Sequence, residues 1–517
     1  MKRISRLNKA NERFLCIISC LFLFLFAGFS CSSSNNNDTP SEPEVKTLTV
    51  KQNNYRISAS TTKITLEITS SDNYYVTSNK SWVSPSSSAA SKATKYDLNI
   101  EVNTKYVDRT DTITITSGNL KAYVYILQQM NIPTIGANQD GMTHKSMELM
   151  HLINVGWNLG NSCDAAGNET AWGNPKTTEA MIKAVKAAGF NAIRIPVRWG
   201  DHISDTSLWT IDETWMARVK EIVDYAYNNG LYVILNSHHD TWFEGVASYA
   251  DSSSVRRKGV SMWTQIAVKF RDYDEHLMFA CLNEPHIGNN WGIPTTENAK
   301  VESFYQQAFV NIVRATGGRN TYRSLIIQPW CCNPSYFSYL TIPTDPTPNR
   351  MILEFHYYNP WNFCGTDSGN DGTDKVRFWG DSYKQYGSVS TYGTAAMITN
   401  DFSTLKTNFI SKGIPLVLGE FGVNRHSFTA AEIKSGLQAK GEESRDYYLK
   451  WLVSTAHAYG ITPIYWDNGN LGTATDSTVM GSGSDAFALF NRKYNMSVYD
   501  KGAIDAIIEG SKTAYTY

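Results

Sequence analysis

Charge is scarce in this sequence and balanced where it occurs. Asp, Glu, Lys and Arg make up 18% of the 517 residues and the formal net charge is -1. That leaves no electrostatic footprint for nucleic acid or for an anionic membrane surface. Paired thiols are missing too. Cys16 and Cys20 fall in an N-terminal apolar segment, and Cys31, Cys163, Cys281, Cys331, Cys332 and Cys364 show no CxxC spacing. Neither a zinc site nor a disulfide framework is expected, and no cofactor is implied. A bridge from Cys364 to Cys331 or Cys332 is conceivable across loops, but buried free thiols are the expected state. No glycine-rich phosphate loop follows the first apolar strand of the C-terminal region, which argues against a dinucleotide-binding open sheet. The apolar run Phe14 to Phe29 is short for a membrane span.

What is present begins with that run. Lys2, Arg3, Arg6, Lys9 and Arg13 precede it, so residues 1–30 read as a signal peptide. Its end, Ala27-Gly28-Phe29-Ser30-Cys31, and the polar Ser32 to Asp38 beyond it resemble a bacterial lipoprotein signal. The resemblance implies lipidation at Cys31 and an anchor in the outer membrane, at the cell surface, with the periplasmic face or secretion as alternatives. The Ser/Asn/Asp/Pro composition of residues 31–44 is that of a flexible linker.

Residues 45–131 change to short alternating strands such as Ile64 to Ile68, Asp111 to Ile115 and Tyr123 to Leu127, with turn residues about every ten positions. Period two of this kind predicts a small antiparallel, immunoglobulin-like β-sandwich. Ser81-Trp82-Val83-Ser84-Pro85, Tyr106 to Thr110 and Ile126-Leu127-Gln128-Gln129 resemble the BACON domain, a sandwich module placed before polysaccharide-active enzymes. Trp82 sits where such domains place a core residue, so a spacer role is weighed equally with sugar binding.

Residues 132–517 alternate apolar strands with helical periods. Strands are predicted at Ile153 to Gly160, Ala192 to Val197, Tyr232 to His239, Leu277 to Glu284, Ser324 to Pro329, Met351 to Tyr358, Pro415 to Phe421 and Ile461 to Asp467. Eight strands with intervening helices over about 380 residues predict an α/β fold, a (β/α)8 TIM barrel, with a short helix after the fifth strand. Active sites of such barrels lie at the strand C-termini. Six of those ends are polar here: Arg194, Asn236 to His239, Asn283-Glu284, Glu354 to Tyr358, Glu420, and Trp466 to Asn468.

Carboxyl groups on strands four and seven, Glu284 and Glu420, suit retaining cleavage of a glycosidic bond, which needs one acid/base and one nucleophile. Arg194 can favour an ionised carboxylate nearby, a Tyr hydroxyl such as Tyr358 can bond it, and Trp466 offers a stacking face. His238 and His239, adjacent on a strand, should point to opposite faces and so not ligate one metal ion. The aromatic content, 12% with 14 Trp and 29 Tyr, fits a neutral sugar ligand.

With Arg194, a strand-three His, Asn283-Glu284, His356, Tyr358, Glu420 and Trp466 in place, the region from about Thr134 onward resembles glycoside hydrolase family 5. The resemblance implies Glu284 as acid/base, Glu420 as nucleophile, Asn283 on the sugar 2-hydroxyl and Tyr358 orienting Glu420. His356 and one or both of His238 and His239 would line the cleavage point. Gly156-Trp157-Asn158-Leu159-Gly160-Asn161, the stretch Glu169 to Pro175 with Trp172, and His356 to Pro360 are similar to the branch holding endo-β-1,4-glucanases, lichenases and xyloglucanases. Asn158 and Trp172 join the supporting residues on that basis. His286 and Gln328-Pro329-Trp330-Cys331-Cys332 depart from the branch. The loop Trp361 to Ala395 is expected to wall the cleft, and Trp242, Trp291 and Trp330 are further sugar platforms. The expected protein is a monomeric, lipid-anchored retaining endo-β-1,4-glucanase acting on xyloglucan, mixed-linkage glucan or cellulose-like chains, xyloglucan foremost. A β-mannanase and a non-catalytic surface glycan-binding protein are the alternatives.

Overall fold

The computed structural model describes residues 45–365, 375–474 and 480–516. The signal peptide and linker expected over residues 1–44, with Cys31, lie outside the described residues.

The N-terminal strands form two four-stranded sheets packed face to face. One contains Leu48–Val50, Lys63–Ser70, Lys95–Ile100 and Val83–Pro85; the other contains Asn54–Ile57, Leu120–Gln128, Arg109–Ser117 and Tyr75–Thr77. Alternation explains the core: Ile64, Leu66 and Ile68 face inward against Ile113, Ile115, Val124 and Ile126. All pairings are antiparallel except Asn54–Ile57, which runs parallel to Leu120–Gln128. Trp82 is part of this core, with the Arg109 guanidinium 4.4 Å above its ring.

The barrel closes from eight parallel strands in sequence order. They are β1 (Gly156–Leu159), β2 (Ala192–Ile195), β3 (Tyr232–Asn236), β4 (Leu277–Ala280), β5 (Leu325–Ile327), β6 (Met351–His356), β7 (Leu416–Phe421) and β8 (Ile461–Asp467). Most end earlier than predicted. β4 stops at Ala280, so Asn283 and Glu284 stand on the loop above it, and β3 stops at Asn236, before the His pair. After β5 come only the 3-10 turns Trp330–Cys332 and Pro334–Tyr339, matching the short helix expected there. The long helix Tyr249–Lys269 fills the connection between β3 and β4, although its sequence carries a weak helical pattern. Its first half is rich in Ser and charge, and Gly259 interrupts it, yet Val255, Met262, Trp263 and Ile266 form its buried stripe.

Strand parity separates a foundation from a site. The inward row runs Ile352, Glu354, His356 on β6, Ala192 then Arg194 on β2, and Ile234 then Asn236 on β3. The lower members, with Met278, Ala280, Ile326, Val417 and Ile464, make one buried apolar cluster with Leu149 and Met150 of the helix Ser146–Met150. Outward residues such as Ile193, Val233, Phe279, Leu353 and Leu418 join the core beneath the helices. On β7, parity from Val417 would turn Glu420 outward. A bulge intervenes: Phe355 pairs with Leu418, whereas His356 pairs with Glu420. The extra residue re-aims Glu420 into the barrel mouth.

Candidate active site

Arg194 is the hub. A cation buried in a barrel needs all its donors satisfied, and four side chains surround it. Nη1 donates to Asn158 Oδ1 at 3.0 Å and to Glu420 Oε1 at 2.8 Å, and Nη2 donates to Asn283 Oδ1 at 2.8 Å. Nε lies 2.9 Å from Glu354 Oε1, with both side chains wholly buried. Burial alone would lower the Arg194 pKa, but Glu354 and Glu420 outweigh it and raise it further.

Around this hub the two predicted carboxyl groups converge. One oxygen of Glu284, one of Glu420 and a ring nitrogen of His356 lie within 4.8 Å of one another. His356 Nδ1 sits 2.7 Å from Glu284 Oε1 and 3.6 Å from Glu420 Oε2. The Tyr358 hydroxyl donates to Glu420 Oε2 at 3.2 Å. Burial works against a charged His356, but the Cys332 thiol and the Glu420 and Glu284 carboxyls raise its pKa well above the ordinary histidine range. Cys332 is itself pushed up to about 12 by burial, so at neutral pH the carboxylates are what keep His356 protonated. Burial raises Glu420, and His356 and Arg194 oppose it only in part. Burial likewise raises Glu284, but the His356 contact prevails and lowers it. The charges then count simply. Arg194 and His356 bring two positives and Glu354 one negative. A pocket this buried is close to neutral only if the Glu284–Glu420 pair carries one negative charge, so one proton stays on the pair.

The remaining predicted residues sort by position. Asn158 lies beneath the site, donating to the Gly419 and Tyr465 carbonyls. His238 stacks on Trp466 with ring centres 5.7 Å apart and planes 5° from parallel. The Trp466 ring also lies where a Cβ on residue 160 would be, 2.8 Å from its Cη2, so that position has to be glycine. His238 and His239 do not point apart as strand geometry predicted. β3 has already ended, and His239 adopts a left-handed φ of 54°, which brings the two rings to 4.4 Å and both into the cleft. Asp164 is buried behind this pair, 3.8 Å from His239 Nδ1; the ligating atoms of Asp164, His238 and His239 are close enough together to hold a metal ion. Asp164 also accepts the backbone N–H groups of Asn161 and Ser162. Trp172, 44% exposed, packs its ring 5.6 Å from that of His239.

The cleft encloses about 840 Å³, walled by Trp291 and Trp361 as well as the catalytic candidates. Trp291 is 52% exposed and stacks on His286 at 4.3 Å, which gives the departing residue His286 a role in presenting an aromatic face. Two expected platforms are corrected. Trp330 is buried, its Nε1 donating to the Gly292 carbonyl, and Trp242 packs on Phe243 with its Nε1 on Asp240. The long loop is corrected likewise. Trp361 faces the cleft, but Trp379 and Tyr383 pack on Tyr447 of the helix Leu437–Ala458, and residues 366–374 lie outside the described residues. The five cysteines of the described residues are free; Cys331 is half-buried and lines the cleft.

Sequence reasoning missed two buried acids. Glu354 was noted only as part of a strand end; its parity with His356 was the available signal. Glu244 lies under the β4 loop, where burial, with the Asp240 and Glu284 carboxyls near it, raises its pKa well above the usual range. No spacing pointed to it.

Residues 158–472 match the cellulase family, glycosyl hydrolase family 5, and residues 47–131 match the viral BACON domain. A xyloglucan-specific endo-β-1,4-glucanase of Bacteroides ovatus is 31% identical over 472 residues, covering 88% of this chain and 91% of that protein. Endoglucanase A of Paenibacillus barcinonensis is 35% identical over 378 residues, covering 69% and 88%. Among solved structures, a Bacteroides ovatus GH5 xyloglucanase in complex with a XXXG heptasaccharide aligns with TM-score 0.66 and 30% identity over 90% of this chain and 100% of that chain.

Proposed function

The chain belongs to glycosyl hydrolase family 5, and from that premise we propose that it is a retaining endo-β-1,4-glucanase whose preferred substrate is xyloglucan. One observation carries the mechanism: Glu284 and Glu420 approach within 4.8 Å across His356. Retaining enzymes hold their carboxyl groups roughly 5 to 5.5 Å apart, whereas inverting ones leave about 6.5 to 9.5 Å for a water. Glu420, held by Arg194 and Tyr358, attacks the anomeric carbon as its carboxylate. The pair's single proton, which in the empty cleft is favoured on Glu420, passes to Glu284 by way of His356 Nδ1 between them as substrate binds, and the bond to the leaving oxygen breaks as Glu284 delivers that proton to it. In the second step Glu284 takes a proton from water, the water oxygen attacks the same carbon, and Glu420 leaves. Asn283 bonds the sugar 2-hydroxyl; its hydrogen bond from Arg194 Nη2 supports that role.

Xyloglucan is favoured by the cleft, which is flanked by the exposed rings of Trp291 and Trp361, and by the Bacteroides ovatus relative, whose match spans both sandwich and barrel. We also propose that Cys31 carries a lipid that holds the enzyme on the outer membrane; Cys31→Ala should release it to the soluble fraction. The decisive assay is product NMR on xyloglucan, mixed-linkage glucan, carboxymethylcellulose and mannan. Xyloglucan should give the highest kcat/KM, and the first product should keep the β configuration. An α-configured first product would refute the double displacement.

A further inference from the structure

A third carboxylate lies directly under the site and touches neither the cleft nor the surface. Glu354 is wholly buried on the inward row of β6. Its Oε2 accepts from Gln328 Nε2 at 2.7 Å. Its Oε1 stands 2.9 Å from Arg194 Nε and 3.6 Å from His356 Nε2. None of those three atoms makes a hydrogen bond of normal geometry, so what joins them is charge at close range in a dry interior. Gly419 of β7 clears the space: a Cβ there would sit inside the Glu354 carboxyl. Cys332, whose thiol donates to the Glu354 carbonyl at 3.6 Å, closes the remaining side.

We propose that Glu354 is a positioning residue of the hydrolysis: a buried counter-charge that fixes the Arg194 fork on Glu420 and the His356 ring on Glu284. The proposal rests on the reading of Glu284 and Glu420 given above. The geometry assigns Glu354 the opposite end of both cations. Arg194 presents Nη1 to Glu420 and Nε to Glu354, and His356 presents Nδ1 to Glu284 and Nε2 to Glu354. Arg194 is thus flanked by a carboxylate at each end of its fork, and His356 has Glu354 as a counter-charge behind the ring that Glu284 bonds in front. The groups facing Glu354 are Arg194 from β2, Gln328 and Cys332 from beyond β5, His356 on its own strand, and Gly419 from β7, with Glu420 past it. Removing the negative charge of Glu354 leaves Arg194 and His356 with an excess of positive charge, which favours loss of a proton from the Glu284–His356–Glu420 group.

The test compares wild type, Glu354→Gln and Glu354→Asp by pH profiles of kcat and kcat/KM on β-glucan, with thermal melting to establish folding. Glu354→Gln should lower kcat about 100-fold, leave KM within about threefold, and move the bell-shaped profile to lower pH by about one unit or more. Glu354→Asp restores the charge and should return the profile toward that of wild type while kcat stays reduced. A folded Glu354→Gln enzyme whose profile does not move overturns the proposal, even if its rate falls. If Glu354→Gln does not fold, Glu354→Asp decides: a tenfold or larger fall in kcat at unchanged KM supports the positioning role, and an unchanged kcat overturns it. Glu284→Ala and Glu420→Ala run alongside. If either cleaves at the wild-type rate the underlying assignment fails; if both are inactive, only the role of Glu354 is at stake.

Discussion

Replacing Arg194 by Lys keeps the charge and removes the fork, and the structure sets what that does. The guanidinium reaches Asn158, Asn283, Glu354 and Glu420 with three nitrogens spread over a plane. A single ammonium can stay close to one of the two carboxylates. Leaving two buried amide acceptors unpaired costs about 1 to 3 kcal/mol each, and stranding a buried carboxylate costs about 3 to 5 kcal/mol. The sum, about 5 to 11 kcal/mol, is a large share of the roughly 5 to 15 kcal/mol that holds a domain folded. Scanning calorimetry should therefore show Tm lower by on the order of 10 °C at pH 8. The stranded carboxylate has a raised pKa, so its cost is present when it is ionised and fades as falling pH protonates it. The gap between Arg194→Lys and wild type should narrow from pH 8 to pH 5. A variant within about 1 kcal/mol of wild type at pH 8, with kcat within threefold, would refute the claim that the planar fork organises the site.

Other outcomes follow from single contacts. Glu420→Ala should lower kcat at least about 1,000-fold while glucan binding, read by affinity electrophoresis, stays within a few fold. Tyr358→Phe removes the 3.2 Å bond to Glu420 and should reduce kcat/KM about tenfold, equivalent to roughly 1.4 kcal/mol, without a change in Tm beyond a few degrees. Asp446 has its pKa raised to about 7, burial being the main cause. A raised acid loses stability as pH climbs from its unfolded pKa to its folded one and is flat above. Asp446→Asn should therefore flatten the decline between about pH 4 and 7 and raise stability by about 2 to 4 kcal/mol at pH 8, measured by urea melts. Trp82→Ala should destabilise the sandwich by about 3 to 5 kcal/mol and leave β-glucan retention unchanged, because its ring is core beneath Arg109. Loss of glucan retention in a folded variant would instead assign the sandwich a binding role.

The readable part of this protein was its periodicity. Short apolar runs interrupted by amphipathic helices marked every barrel strand, and Arg194, Glu284, His356, Tyr358 and Glu420 were found because each ends such a run. Less legible was whatever depends on where a strand stops. Alternation holds only inside a ladder, so it misplaced His239, which lies three residues past the end of β3 and turns through positive φ. It would also misplace Glu420, which needs the bulge on β7. The helix Tyr249–Lys269 is weakly marked because its composition is that of a loop and only tertiary contact with Phe243 and the core selects helix. Tryptophan was ambiguous for a different reason: Trp330 and Trp291 share a residue type and loop setting, and only their neighbours decide which is buried and which is offered to ligand.

The bulge on β7 has an engineering consequence. Nucleophile placement here depends on counting backbone residues between Val417 and Phe421, and no side-chain substitution can reset that count. A strand of the same length run in regular register would stay paired and apolar, with its key carboxylate pointed into the helical shell. Grafting this β7 onto another barrel, or shuffling it between homologues, therefore succeeds only if the slip in register travels with the sequence.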